Sequence, residues 1–110
     1  MSEAEEPEIA VIVFTEQKPL FDLGNTCMTT GANEVLQALQ IEPILLLMRH
    51  VSGDWGDMCQ SDKTQNNRAV KQGEGRIFSS YTLQQSPEIK VWVITESDRS
   101  CTTILLPEEY

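Results

Sequence analysis

Apolar and polar positions along this chain alternate in two different rhythms, and the change of rhythm divides it. Ile9–Phe14, IAVIVF, is short, continuously apolar and β-branched, which predicts a strand covered on both faces. Thr26–Thr29 can form a short strand leading into a helix. From Thr30, placed here as an N-cap, Val35, Leu36, Ala38 and Leu39 recur at helical spacing for about ten residues. Glu42-Pro43 starts a second helix, in which Ile44, Leu45, Leu47, Met48 and Val51 are apolar almost all round, predicting a central, buried element. Gly53-Asp54-Trp55-Gly56-Asp57 breaks the pattern into a loop. Ser61 is placed as the cap of a third, largely polar helix, Asp62–Gln72, closed by Gly73.

After Gly75 the period becomes two. In Arg76–Leu83, Ile77, Ser79, Tyr81 and Leu83 share one face, with Arg76, Phe78, Ser80 and Thr82 on the other. Ser86-Pro87 turns the chain into Ile89–Ile94, where Trp92 and Ile94 share a face opposite Val91 and Val93. The polar segment Glu96–Ser100 joins it to Thr102–Leu106 as a hairpin. The expected fold is α+β: three helices ahead of a mostly antiparallel sheet that ends in a three-stranded meander.

The length, 110 residues, suits one domain, expected over residues 9–110 behind an acidic, disordered tail at residues 1–8. No apolar run reaches the roughly 20 residues that span a bilayer, and the acidic start lacks the basic region of a secretory signal. A cytoplasmic location without membrane attachment is therefore expected. Three widely spaced cysteines, Cys27, Cys59 and Cys101, suggest neither a disulfide framework nor zinc. The net charge of −9 includes four glutamates in the first eight residues, and it argues against direct nucleic-acid binding. Neither metal nor cofactor is expected, because no nucleotide-binding, zinc or nucleophile-elbow motif is present.

Candidate chemistry is scattered. His50 is the only histidine, so imidazole acid–base work falls to it if there is any. Otherwise it is a packed residue at a helix terminus. Asp54 and Asp57 can bind a metal, orient His50 or cap their own turn. Trp55 can stack a base or plug a core edge. Arg99, beside Asp98, can clamp phosphate or pair with a carboxylate such as Asp54 or Asp57 and pin its loop. Arg76, Ser80, Thr95, Thr102 and Thr103 can line a polar sheet face or simply meet solvent.

HVSGDWGDM, SDKTQNN, RIFSSY, VWVITESDRS and TTILLPEEY together resemble a family of small bacterial proteins encoded on plasmids and other mobile elements. The match runs from Phe21 to Tyr110, and residues 1–20 look like an extension. The resemblance implies that His50, Gly53, Asp54, Trp55, Gly56, Asp62, Arg76, Ser80, Tyr81, Thr95, Glu96, Asp98, Arg99, Thr102, Thr103 and Tyr110 occupy motif positions. A buried polar network joining the GDWGD loop to the final hairpin would account for such a set. The expected role is an interaction module acting on a host protein or nucleic-acid-processing system. The alternative is a small metal-independent nuclease, similar in element order to barnase-like and RelE-like ribonucleases, with His50 as acid/base and Arg76 and Arg99 on the phosphate. The Glu96–Ser100 loop is the expected docking place for the GDWGD loop.

Overall fold

The computed structural model describes residues 18–110. The expected Ile9–Phe14 strand and the acidic tail lie outside the described residues. A short strand, β1 (Asn25–Met28), leads into three helices: α1 (Thr30–Leu39), α2 (Pro43–Val51) and α3 (Gln60–Gln72). Three further strands follow, β2 (Ile77–Gln85), β3 (Glu88–Thr95) and β4 (Cys101–Leu105), and a 3-10 turn, Pro107–Glu109, ends the chain. The sheet order is β1-β4-β3-β2, with β1 parallel to β4 and the other pairs antiparallel. This is the expected α+β fold with its closing meander. β1 adds one parallel strand beyond it, so both strands of the final hairpin are interior.

Two helices cover one sheet face. Ala32, Leu36, Leu46 and Leu47 pack against Tyr81, Val91, Val93 and Ile104, the inward set that period two assigns to each strand. A second cluster, Trp55, Ala69 and Ile77, sits where α3 meets the start of β2.

Three local expectations are corrected. The N-cap of α1 is Thr29, whose Oγ1 accepts from the Ala32 N–H at 3.1 Å, not Thr30. α3 begins at Gln60 with Cys59 at the cap position, not Ser61. α2 is not buried all round: Ile44 and Leu45 are 54% and 55% exposed, because the sheet lies on one side of it alone. Arg49 and His50 do lie in its last turn, where cations or donors suit the helix dipole.

The outer edge of β2 is closed by side chain and loop. The Asn66 amide donates to the Phe78 carbonyl at 2.7 Å and accepts from the Phe78 N–H at 3.1 Å. Two residues along, the Ser80 N–H donates to Trp55 O at 3.1 Å, and Ser80 O accepts from the Asp57 N–H at 2.6 Å. An edge strand left with free N–H and C=O groups invites pairing with other chains, and these contacts remove that template over Phe78–Ser80. Gly56 makes the approach possible. Its φ is +76°, and a Cβ there would stand 2.1 Å from Ser80 O. The GDWGD loop therefore docks on β2, not on the Glu96–Ser100 loop.

Candidate functional site

Alternation along β2, β3 and β4 sends Ser79, Thr95 and Thr102 inward, and the last turn of α2 drops His50 among them. All four are 0% exposed. His50 Nδ1 lies 2.6 Å from Ser79 Oγ, and Nε2 lies 2.9 Å from Thr95 Oγ1. Thr95 Oγ1 is 2.6 Å from Thr102 Oγ1, and the Thr102 hydroxyl donates to the Leu23 carbonyl at 2.8 Å.

That terminal carbonyl sets the direction of the whole chain, because it can only accept. Thr102 spends its proton on Leu23, so it accepts from Thr95. Thr95 in turn accepts from His50 Nε2–H, which leaves Nδ1 bare to accept the Ser79 hydroxyl. His50 is thus a neutral imidazole with both nitrogens occupied. Burial pushes its pKa down to about 3. Phe21 and Trp55 close the remaining sides, each ring edge-on to the imidazole at 5.2 and 5.9 Å. No buried side-chain nitrogen or oxygen among the described residues lacks a partner.

The other candidates do not gather around His50. Asp54 accepts from Arg49 Nε at 2.7 Å in a half-exposed ion pair, which holds the Asp54 carboxyl below its ordinary range. Its other oxygen accepts from the Gly56 N–H at 3.2 Å, the local turn-capping use of Asp. Arg49 also lies 4.3 Å above the Tyr81 ring, and the Tyr81 hydroxyl donates to the Asp54 carbonyl at 2.6 Å. Burial raises the Tyr81 pKa to about 12. Trp55 is 4% exposed and donates to Asn67 Oδ1 at 3.0 Å, so it plugs the core edge. Asp57 accepts a close hydrogen bond from Thr82.

Arg99 is a tether, although not to Asp54 or Asp57. At φ +62° it donates to the carbonyls of Gly75 (2.7 Å), Ser97 (2.8 Å), Ala69 (3.0 Å) and Glu96 (3.2 Å). The Ala69 carbonyl belongs to the last turns of α3, so the guanidinium also meets the negative end of that helix. Asp98 accepts from the Ser100 N–H at 2.9 Å within the same loop. Thr103 faces outward, 3.4 Å from Cys27 Sγ.

Arg76 belongs to a second assembly, on the sheet face opposite α1 and α2, which no helix among the described residues covers although Ile94 and Leu105 on it are buried. It donates to the Tyr110 hydroxyl at 2.8 Å and lies 3.7 Å from Glu96. Phe78, Trp92 and Tyr110 form a mutually edge-on trio, with ring centroids 4.9, 5.6 and 6.2 Å apart. Beside it, Asp62, Gln65, Arg76 and Phe78 line an open cleft of about 340 Å³ between α3 and β2. Ser80 shares this face of β2 but is buried.

Sequence reasoning singled out His50, Thr95 and Thr102, but it set Ser80, Thr95 and Thr102 on a polar or solvent-facing sheet face where all three are buried, and it missed Ser79 as the partner of Nδ1 and the Asn66 clamp on Phe78. It also left the trio unassembled. Alternation placed Phe78 and Trp92 each on one face of its strand without telling which face is open, and Tyr110 joins them because the 3-10 turn folds back over β3. Among the described residues no group of three or more His, Cys, Asp or Glu could hold a metal ion, and no helix is long and apolar enough to cross a membrane. No family model, curated protein or solved structure matches this chain.

Proposed function

We propose that the chain is a binding module that works through the sheet face opposite α1 and α2, in the mobile-element setting that the sequence resemblance suggests, on a host component. The observation that carries this reading is the sealing of His50. A general acid or base must reach a substrate proton, directly or through one water, and it works best with a pKa near the operating pH. His50 has no exposed surface, no free nitrogen and a pKa near 3. Arg99 is likewise spent on four carbonyls. What stays accessible is the aromatic trio, Arg76 and the α3 cleft, a surface suited to holding a partner.

A cleavage assay tests it. The purified chain incubated with single-stranded RNA and DNA should leave both intact over long incubation. Cleavage that co-purifies with the protein and disappears in Arg76→Ala, a surface change, would restore the nuclease reading and remove this one.

A further inference from the structure

The negative total charge conceals an uneven distribution. Residues 60–76 carry four of the eight basic residues, Lys63, Arg68, Lys71 and Arg76, against two acids, Asp62 and Glu74. This one stretch is net positive by two in a chain of net charge −9. α3 buries only Asn66 and Ala69, so its basic side chains face away from the core. Fields fade over a Debye length of about 8 Å at physiological ionic strength, so a ligand meets this local charge more than the sum.

Of these four bases Arg76 and Arg68 border the aromatic face, with Asp62 and Glu74 among them on the cleft walls, whereas Lys63 lies toward Asp54. Arg76 lines the 340 Å³ cleft together with Phe78, and it also lines a neighbouring cleft of about 260 Å³ together with Arg68. A path therefore runs from Arg68 past Arg76 to Phe78, Trp92 and Tyr110. Asp62 and Gln65, on the wall of the first cleft, make no side-chain hydrogen bond among the described residues. They offer an acceptor and an amide to whatever enters.

We propose that this groove binds single-stranded nucleic acid, with Arg68 and Arg76 on the phosphates and bases stacked on the Phe78–Trp92–Tyr110 surface. Aromatic rings beside arginines suit unpaired bases, since every base has a face to stack. A duplex hides those faces and brings denser phosphate charge against an acidic body. Asp62 can accept from an exocyclic amine, as carboxylates do from cytosine N4. Glu96, near Arg76, competes with phosphate, so binding is weak and strongly salt-dependent. The inference rests on the binding-module reading and names its ligand.

The test is fluorescence anisotropy of short labelled RNA and DNA strands titrated at low salt with the full chain, beside the same sequence as a duplex. The strands should bind and the duplex bind less. Quenching of tryptophan fluorescence should accompany binding and report Trp92, since Trp55 is buried. Phe78→Ala should weaken binding about tenfold or more. Because Phe78 also seats Tyr110, Arg68→Ala serves as the second variant. Arg68 is exposed and makes no side-chain hydrogen bond among the described residues; Arg68→Ala should keep the wild-type melting temperature and weaken binding severalfold. Arg49→Gln, which removes a charge beside Tyr81 on the helix-covered face, should bind as the wild type does. No anisotropy change, equal affinity for duplex, equal loss in Arg49→Gln, or full competition by a mononucleotide would each overturn the proposal. Gel analysis of the same samples separates the two readings. Strands neither bound nor cut remove this inference alone, whereas cut strands remove the binding-module reading.

Discussion

His50 is bonded to hydroxyls of two strands, Ser79 of β2 and Thr95 of β3, and reaches Thr102 of β4 through Thr95, so its removal should be felt along the whole network. His50→Ala leaves a cavity and orphans Ser79 and Thr95, which should cost about 3–5 kcal/mol in urea denaturation. Thr102→Val keeps the shape but leaves the Leu23 carbonyl and the Thr95 hydroxyl unpartnered, for about 1–3 kcal/mol. Losses well under about 1 kcal/mol for both would mean that water replaces the network. The depressed pKa adds a pH signature. The unfolded chain takes up a proton on His50 near pH 6.5, while the folded chain resists down to about 3. Stability is therefore complete above pH 6.5 and falls through that window by about 1.4 kcal/mol per pH unit. The decline between pH 6.5 and the carboxylate range should vanish in His50→Gln, measured by denaturation at a series of pH values. A decline that survives the substitution would assign it to another group.

At the level of elements, the loops act as clamps between helices and strands. Arg99→Ala removes four donations and places a Cβ-bearing residue without compensation at φ +62°, so it should cost about 2–3 kcal/mol. Arg99→Gly should be the milder change, because glycine accepts that backbone while losing the same bonds. Equal melting temperatures for wild type and Arg99→Ala would show that the loop is not held by these bonds. Gly56→Ala should be severe, because its Cβ meets a backbone oxygen that cannot swing away. Expected with it is faster hydrogen exchange at Ser80 and Asp57, whose N–H groups bond across that seam. Glu109 plays the same role at the chain's end. It accepts from the Thr29 hydroxyl and the Leu106 N–H, which keeps its carboxyl below the ordinary range and ties the final turn to the start of α1.

For the whole molecule, the two sheet faces have different fates. One is buried by α1 and α2 and carries the polar network among apolar neighbours. The other shows an aromatic trio flanked by Arg76 and Arg68. Slowest amide exchange is expected at Val91, Val93 and Ile104, which lie in interior strands under both helices. Slowest exchange at β1 instead would contradict this layering. Period-two alternation already separated the faces in the sequence, setting Tyr81 opposite Phe78 and Val93 opposite Trp92. Alternation carried no information on which face the helices would choose to leave open.

The chain's own order of apolar and polar residues determined the elements, the meander and the single domain, because periodicity and turn chemistry act between near neighbours. It also marked His50, Thr95, Thr102 and Arg99 as unusual. Tertiary structure alone decided what they are for. Whether His50 is a catalyst or a keystone depends on Ser79 and Thr95, 29 and 45 residues away, and on a carbonyl at Leu23 that orients every proton between them. The GDWGD loop went to β2 because that edge had free backbone groups to satisfy. The aromatic face exists because two outward rings on adjacent strands were joined by a third brought back from the end of the chain. Such long-range pairings leave no periodic trace in sequence, so geometry, not pattern, decides which surface remains to meet a ligand.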